Sequence, residues 1–69
     1  MIKYKIDILQ KLKNIGISSY RLRQDKLLGE ATIQKLRNGE LVSWENINTI
    51  CNLLNCQPGD LIVHERDSN

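Results

Sequence analysis

Helix starts and stops are spaced so closely along this chain that no element can run beyond a few turns. Asp7, Ser18 or Ser19, and Ser43 are side chains that open helices by accepting a backbone N–H, while Gly16, Gly29, Asn38-Gly39 and Asn55 are residues that close them. Between these marks the apolar residues recur at helical spacing. A first helix is expected over about residues 8–15, from Ile8, Leu9, Leu12 and Ile15, with Gln10 completing a capping-box-like pair with Asp7. A second follows Ser18 or Ser19 on Tyr20, Leu22, Leu27 and Leu28 until Gly29 breaks it. A third covers about 30–37, with Ile33 and Leu36 inward and Glu30, Gln34, Lys35 and Arg37 outward. A fourth starts at Ser43, carries Glu45 in its favourable first turn and buries Ile47, Ile50, Cys51 and Leu54.

Outside the helices, Ile2, Tyr4 and Ile6 alternate with Lys3 and Lys5, the period of a short strand with one apolar face. Pro58 opens a turn, and the β-formers Ile62 and Val63 behind Leu61 could pair with residues 2–6, within the chain or across a dimer. The tail 65–69 is expected to be disordered. With no repeat, low-complexity tract or linker, residues 1–69 read as one domain. A chain of this length buries only about 60% of its unfolded surface, so a partner subunit would help it.

Charge divides the chain more sharply than the net +2 suggests. Residues 1–39 carry nine basic and three acidic side chains, +6; residues 40–69 carry one basic and five acidic, −4. If folding keeps those halves apart, one surface suits a polyanion. No run reaches the roughly 20 apolar residues of a bilayer span, and the start of the chain lacks the apolar stretch of a signal peptide, so a cytoplasmic protein without membrane contact is expected. Cys51 and Cys56 have neither CxxC spacing nor accompanying histidines, and His64 stands alone; no metal site or cofactor is expected. Cys51 belongs to the apolar stripe of the fourth helix, and Cys56 reads as a structural thiol. With no Ser/His/Asp set, no phosphate-binding glycine loop and one histidine, the chain is not expected to be an enzyme.

Residues 19–39 set two short helices about a tight connection, the helix-turn-helix plan. Leu22 on the first would meet Ile33 and Leu36 on the second, so that the second protrudes and fits a major groove about 12 Å wide. The run Thr32-Ile33-Gln34-Lys35-Leu36-Arg37-Asn38-Gly39, followed by Ser43 to Leu61 with its Leu54-Asn55-Cys56-Gln57-Pro58-Gly59-Asp60-Leu61 ending, resembles the small Cro/repressor-type helix-turn-helix regulators of bacteria and their phages. The resemblance covers about residues 7–62. It implies an all-α, compact five-helix lambda repressor-like domain, to which the termini could add a short strand pair. It also implies transcription regulation by occupying an operator in double-stranded DNA, as a repressor would, usually as a homodimer.

Carried over by position, the resemblance implies base contacts from Glu30, Ala31, Thr32, Gln34 and Lys35. Lys35 could donate to guanine, Gln34 could pair with adenine or reach a phosphate, Glu30 could accept from cytosine, and the methyls of Ala31 and Thr32 could touch thymine. Ser19 would hold one phosphate through its hydroxyl and backbone N–H, and Arg37 with Asn38 another. Two positions depart from the family pattern. Arg23 stands where a small residue is usual and must lean outward or loosen the crossing. Leu27 stands where a glycine with positive φ is usual, a role Gly29 could assume by lengthening the second helix and shifting the third. These departures leave open a second function, a helical protein-interaction module or antitoxin-like partner that no longer reads DNA. Trp44 reads as a partly buried packing residue, with an interface anchor as the lesser alternative, and Ile2, Tyr4, Ile6, Leu61, Ile62 and Val63 are the candidate dimer seam.

Overall fold

Seven short elements make up residues 1–67, the part of the chain described by a computed structural model: β1 (Ile2–Tyr4), α1 (Ile8–Asn14), α2 (Ser19–Gln24), α3 (Glu30–Arg37), α4 (Trp44–Leu54), α5 (Pro58–Leu61) and β2 (Ile62–His64). Four of the five helices were expected from the residues, and a fifth was implied by the family resemblance alone. The strand pair makes the fold mainly helical rather than all-α.

The first four helices end by one device. Gly16, Lys26, Gly39 and Asn55 all have positive φ, at 89°, 55°, 75° and 54°. In each case the next residue's N–H turns back to the carbonyl five residues earlier: Ile17 to Leu12 at 2.8 Å, Leu27 to Leu22 at 2.9 Å, Glu40 to Lys35 at 2.8 Å and Cys56 to Cys51 at 3.0 Å. This is the Schellman closure, which also presses the two bonded residues' side chains together. Leu12 with Ile17, Leu22 with Leu27, and Cys51 with Cys56 are apolar pairs held against or within the core. Burial, and then the neighbouring Cys51, push the Cys56 thiol above its ordinary range. Only α3 ends on a charged pair, Lys35 and Glu40, both exposed.

This device corrects the reading of the second helix. The left-handed residue is Lys26, one position before Leu27, and Gly29 has an ordinary φ of −74° as N-cap of α3. Gly29 therefore does not take over the turn, and α2 stops at Gln24 instead of lengthening. Leu27 and Leu28 lie in the turn yet still face the core, with Leu28 buried. A lysine in the left-handed region costs roughly 1–2 kcal/mol of steric strain, part of which glycine would return as entropy of the unfolded chain. Lys26→Gly is accordingly expected to stabilise the domain by about 0.5–1 kcal/mol, read as a higher Tm in a calorimetric melt; an unchanged or lower Tm contradicts this account of the turn.

Helix starts follow the sequence closely. Asp7, Ser18 and Ser43 accept from the N–H groups of Gln10, Arg21 and Asn46 at 3.1, 3.2 and 3.2 Å. Ser18, not Ser19, caps α2. The Gln10 side chain does not return to Asp7 but donates to Asn14 at 2.9 Å, so that capping box is only half made. The segment at Pro58, expected as a turn, is the short helix α5, fixed where Asp60 accepts from the Gln57 N–H at 2.9 Å.

Ile8, Leu12, Leu22, Leu28, Ile33, Leu36, Ile47, Ile50 and Leu61 form the core, each from a different turn of the chain. Cys51 and Leu54 are half-buried against it. Tyr20, expected inward, is 70% exposed, because the short α2 commits only Leu22 to the interior. The termini close the molecule within the chain: β1 pairs antiparallel with β2 in the register Ile2 with His64, Lys3 with Val63 and Tyr4 with Ile62. Residues 65–67 are tied down rather than free. The Glu65 N–H donates to the Met1 carbonyl at 2.8 Å, Lys3 pairs with Glu65, and the Met1 amine reaches Asp67 at 3.2 Å. The rest of the tail expected to be disordered lies outside the described residues.

Candidate nucleic-acid interface

α3 is anchored by two side chains, Ile33 and Leu36, three residues apart on one face. Ile33 has no exposure at all, and α1 packs against the helix alongside the Leu22 turn. One helical stripe is thus enough to hold α3, and its other faces remain in solvent. Among the residues expected to touch bases, Glu30, Ala31, Gln34 and Lys35 are exposed.

Thr32 is different. It is half-buried, and its Oγ1 accepts from the Asn46 Nδ2 of α4 at 2.9 Å. That hydrogen bond ties the outer side of α3 to α4, so Thr32 offers at most its methyl outward. Glu30 is also engaged: one carboxylate oxygen pairs with Arg23 of α2 at 3.2 Å and the other accepts from Gln34 at 3.2 Å. Arg23 leans outward, as its bulk requires, and its Nε also faces the Ser19 carbonyl at 3.4 Å. All three side chains of this chain are exposed, so the ion pair has the small net value of a surface pair and can be exchanged for other partners.

The expected phosphate contacts come together only partly. Ser19 and Arg37, assigned to separate phosphates, line one shallow polar depression of about 350 Å³ with Asp7, Leu9, Gln10 and Lys13. Asn38 lies apart from it and donates to Glu40 at 3.4 Å. Lys13 and Gln10 were missed by the sequence reading. Their spacing puts them on one exposed side of α1, but only the packing of α1 beside α2 and α3 brings them to Ser19 and Arg37.

The cationic half of the chain keeps much of its charge uncommitted. Among the described residues, Lys11, Lys13, Lys26, Lys35 and Arg37 are in no ion pair, whereas Arg21 is paired with Asp25 at 3.3 Å and Arg23 with Glu30. An exposed cation without a counter-charge loses nothing internal when it meets a phosphate, and it releases the phosphate's condensed counterion. Of the uncommitted cations, Lys35 and Arg37 belong to α3 and Lys13 shares the depression with Arg37, whereas Lys11 lines a separate hollow with Leu54, Cys56 and Leu61.

No helix among the described residues is long and apolar enough to cross a membrane. No curated protein and no solved structure matches the chain. One family does: its sequence pattern fits residues 5–67, nearly the whole chain, and it contains the turn at Lys26 and all of α1 to β2. With an outward helix set on a two-residue anchor, and with that match along almost its full length, the chain belongs to the Cro/C1-type HTH DNA-binding domain family.

Proposed function

We propose that this chain is a sequence-specific regulator of transcription, which occupies an operator in double-stranded DNA by laying α3 in the major groove. The observation that carries the reading is the outward face of α3, where Gln34 and Lys35 stand exposed beside uncommitted cations. The family membership supports a DNA partner, and a rod of this width suits the major groove. Lys35, Gln34 and Glu30 are the base readers in this proposal, with Ala31 and the Thr32 methyl beside them. Ser19, Arg37 and Asn38 hold the backbone, joined by Lys13 and Gln10 of the shared depression. Glu30 must exchange its contact with Gln34 or Arg23 to read a base. The protein would act in the cytoplasm, as a repressor by occupancy and as a pair of copies on a two-fold site, with no catalytic step of its own.

The test is selection of bound duplexes from a random pool, followed by titration of the winning duplex at several salt concentrations. A recurring short sequence is expected, together with an affinity that falls with a log-log salt slope of about 0.9 per neutralised phosphate, for about four to six phosphates per copy. Equal recovery of all sequences, or an affinity indifferent to salt, would refute the proposal. A single tight protein partner, combined with no enriched duplex, would favour the interaction-module reading, to which the Arg23–Glu30–Gln34 contacts lend some support.

A further inference from the structure

Trp44 is 81% exposed at the first position of α4, the least buried of the large apolar side chains, with Leu41 at 57% and Ile2 at 46% close by. The three share a groove of about 230 Å³ whose remaining walls are Tyr4, Val42, Ile47 and Ile62. No charged side chain lines it. Tyr4 holds the groove's shape, since its hydroxyl donates to the Glu40 carbonyl at 2.6 Å and so links β1 to the segment between α3 and α4. The burial expected for Trp44 does not occur, because the capped start of α4 at Ser43 turns the indole away from the core.

We propose that a second copy of this chain docks on this groove, in a two-fold dimer seated on Trp44, Leu41 and Ile2. This deepens the paired-copy part of the function proposed above, and it can be tested without DNA. Three observations favour a second copy. First, the patch carries a projecting indole and an apolar hollow side by side, the self-complementary surface that a two-fold contact needs. Second, the area suffices. The exposed parts of Trp44, Leu41 and Ile2 amount to about 400 Å² per chain, so two copies would cover about 800 Å² of apolar surface. Interfaces are about 60% apolar, which places the whole contact at about 1,300 Å², within the range of stable specific dimers. Third, no lysine or arginine lines the groove, so a polyanion has nothing to hold there.

The seam differs from the one the sequence suggested. Leu61 is fully buried, and neither Ile6 nor Val63 lines the groove, so these three fall outside the seam. Ile2, Tyr4 and Ile62 remain, and Trp44 and Leu41 take the central places. Leu41 and Val42 lie between α3 and α4, so the dimer contact would brace the exit from the reading helix.

Trp44 is the chain's sole tryptophan, so its emission reports this surface alone. The full chain and Leu41→Lys should be followed over a concentration series by sedimentation equilibrium and by tryptophan fluorescence, and Trp44→Lys by sedimentation alone. The mass is expected to double from 8.0 kDa as concentration rises, with a blue shift of the emission over the same range. Both variants should keep their helical circular dichroism and dimerise about tenfold more weakly or worse, as loss of a central anchor implies. A chain that stays at 8.0 kDa at millimolar concentration overturns the proposal and leaves the groove to a different protein. So does a doubling of mass in which the emission stays solvent-exposed, or one that both variants reproduce unchanged. A parent chain that selects DNA yet never dimerises would count against this seam alone; a parent chain that dimerises on the groove yet selects no DNA would count against the regulator reading alone.

Discussion

Ile33→Ala is expected to leave much of the chain unfolded at 37 °C. Ile33 is fully buried, and with Leu36 it is all that α3 gives to the core. Truncating a buried isoleucine to alanine costs about 2–5 kcal/mol, through lost transfer energy and the cavity left behind. A domain of this size has a total stability of about 4–10 kcal/mol, so the loss takes from about a fifth to all of it. The short helices cannot reform alone, since isolated helices below about 12–15 residues are marginal in water. Thermal melting by circular dichroism should show Tm falling by about 10 °C or more, at the rate of 4–8 °C per kcal/mol typical of small domains. Gln34→Ala, one position along and exposed, should melt within a few degrees of the parent. A parent-like melt for Ile33→Ala would mean that α3 is not held by this anchor.

Lys35→Ala and Arg37→Ala should separate reading from holding. Lys35 is proposed to meet a base edge, and a lost base contact costs about 1–3 kcal/mol at the preferred site, roughly 5- to 150-fold, with a smaller effect on unrelated duplexes. Arg37 sits in the depression with Ser19 and Lys13, where it is proposed to hold a phosphate. Its removal should weaken all duplexes alike and lower the salt slope by about one. Electrophoretic or fluorescence titrations on the selected duplex and a scrambled one give both numbers. Neither side chain has an ion-pair partner among the described residues, so neither change should disturb the fold. The reverse ranking would exchange the two roles.

Much of this was legible because particular residues leave the backbone little choice. Asp7 and Ser43 announce helix starts, Gly16, Gly39 and Asn55 supply left-handed ends, and Ile33 with Leu36 names the anchored stripe of α3. Lys26 was illegible for the opposite reason: lysine has no preference for a left-handed conformation, and the Leu22–Leu27 closure imposes it. Apolar periodicity says which side chains seek cover but not which find it. Hence Tyr20 and Trp44, on helices with only one or two buried turns, ended outside while Leu28 was drawn in from the loop. The candidate site shows the same limit. Exposure of Gln34 and Lys35 follows from spacing along one helix, whereas the meeting of Ser19, Arg37 and Lys13, and the Thr32–Asn46 bond, depend on how separate helices cross.

The most direct measurement is backbone amide mapping by NMR of the labelled chain, titrated with its selected duplex. The largest shifts are expected on Glu30 to Asn38, with Ser19 and Lys13 next, while the buried amides of Ile47 and Ile50 stay nearly still. Shifts confined to the Trp44 groove or the β1–β2 pair, with α3 unmoved at saturation, would contradict the role proposed for α3.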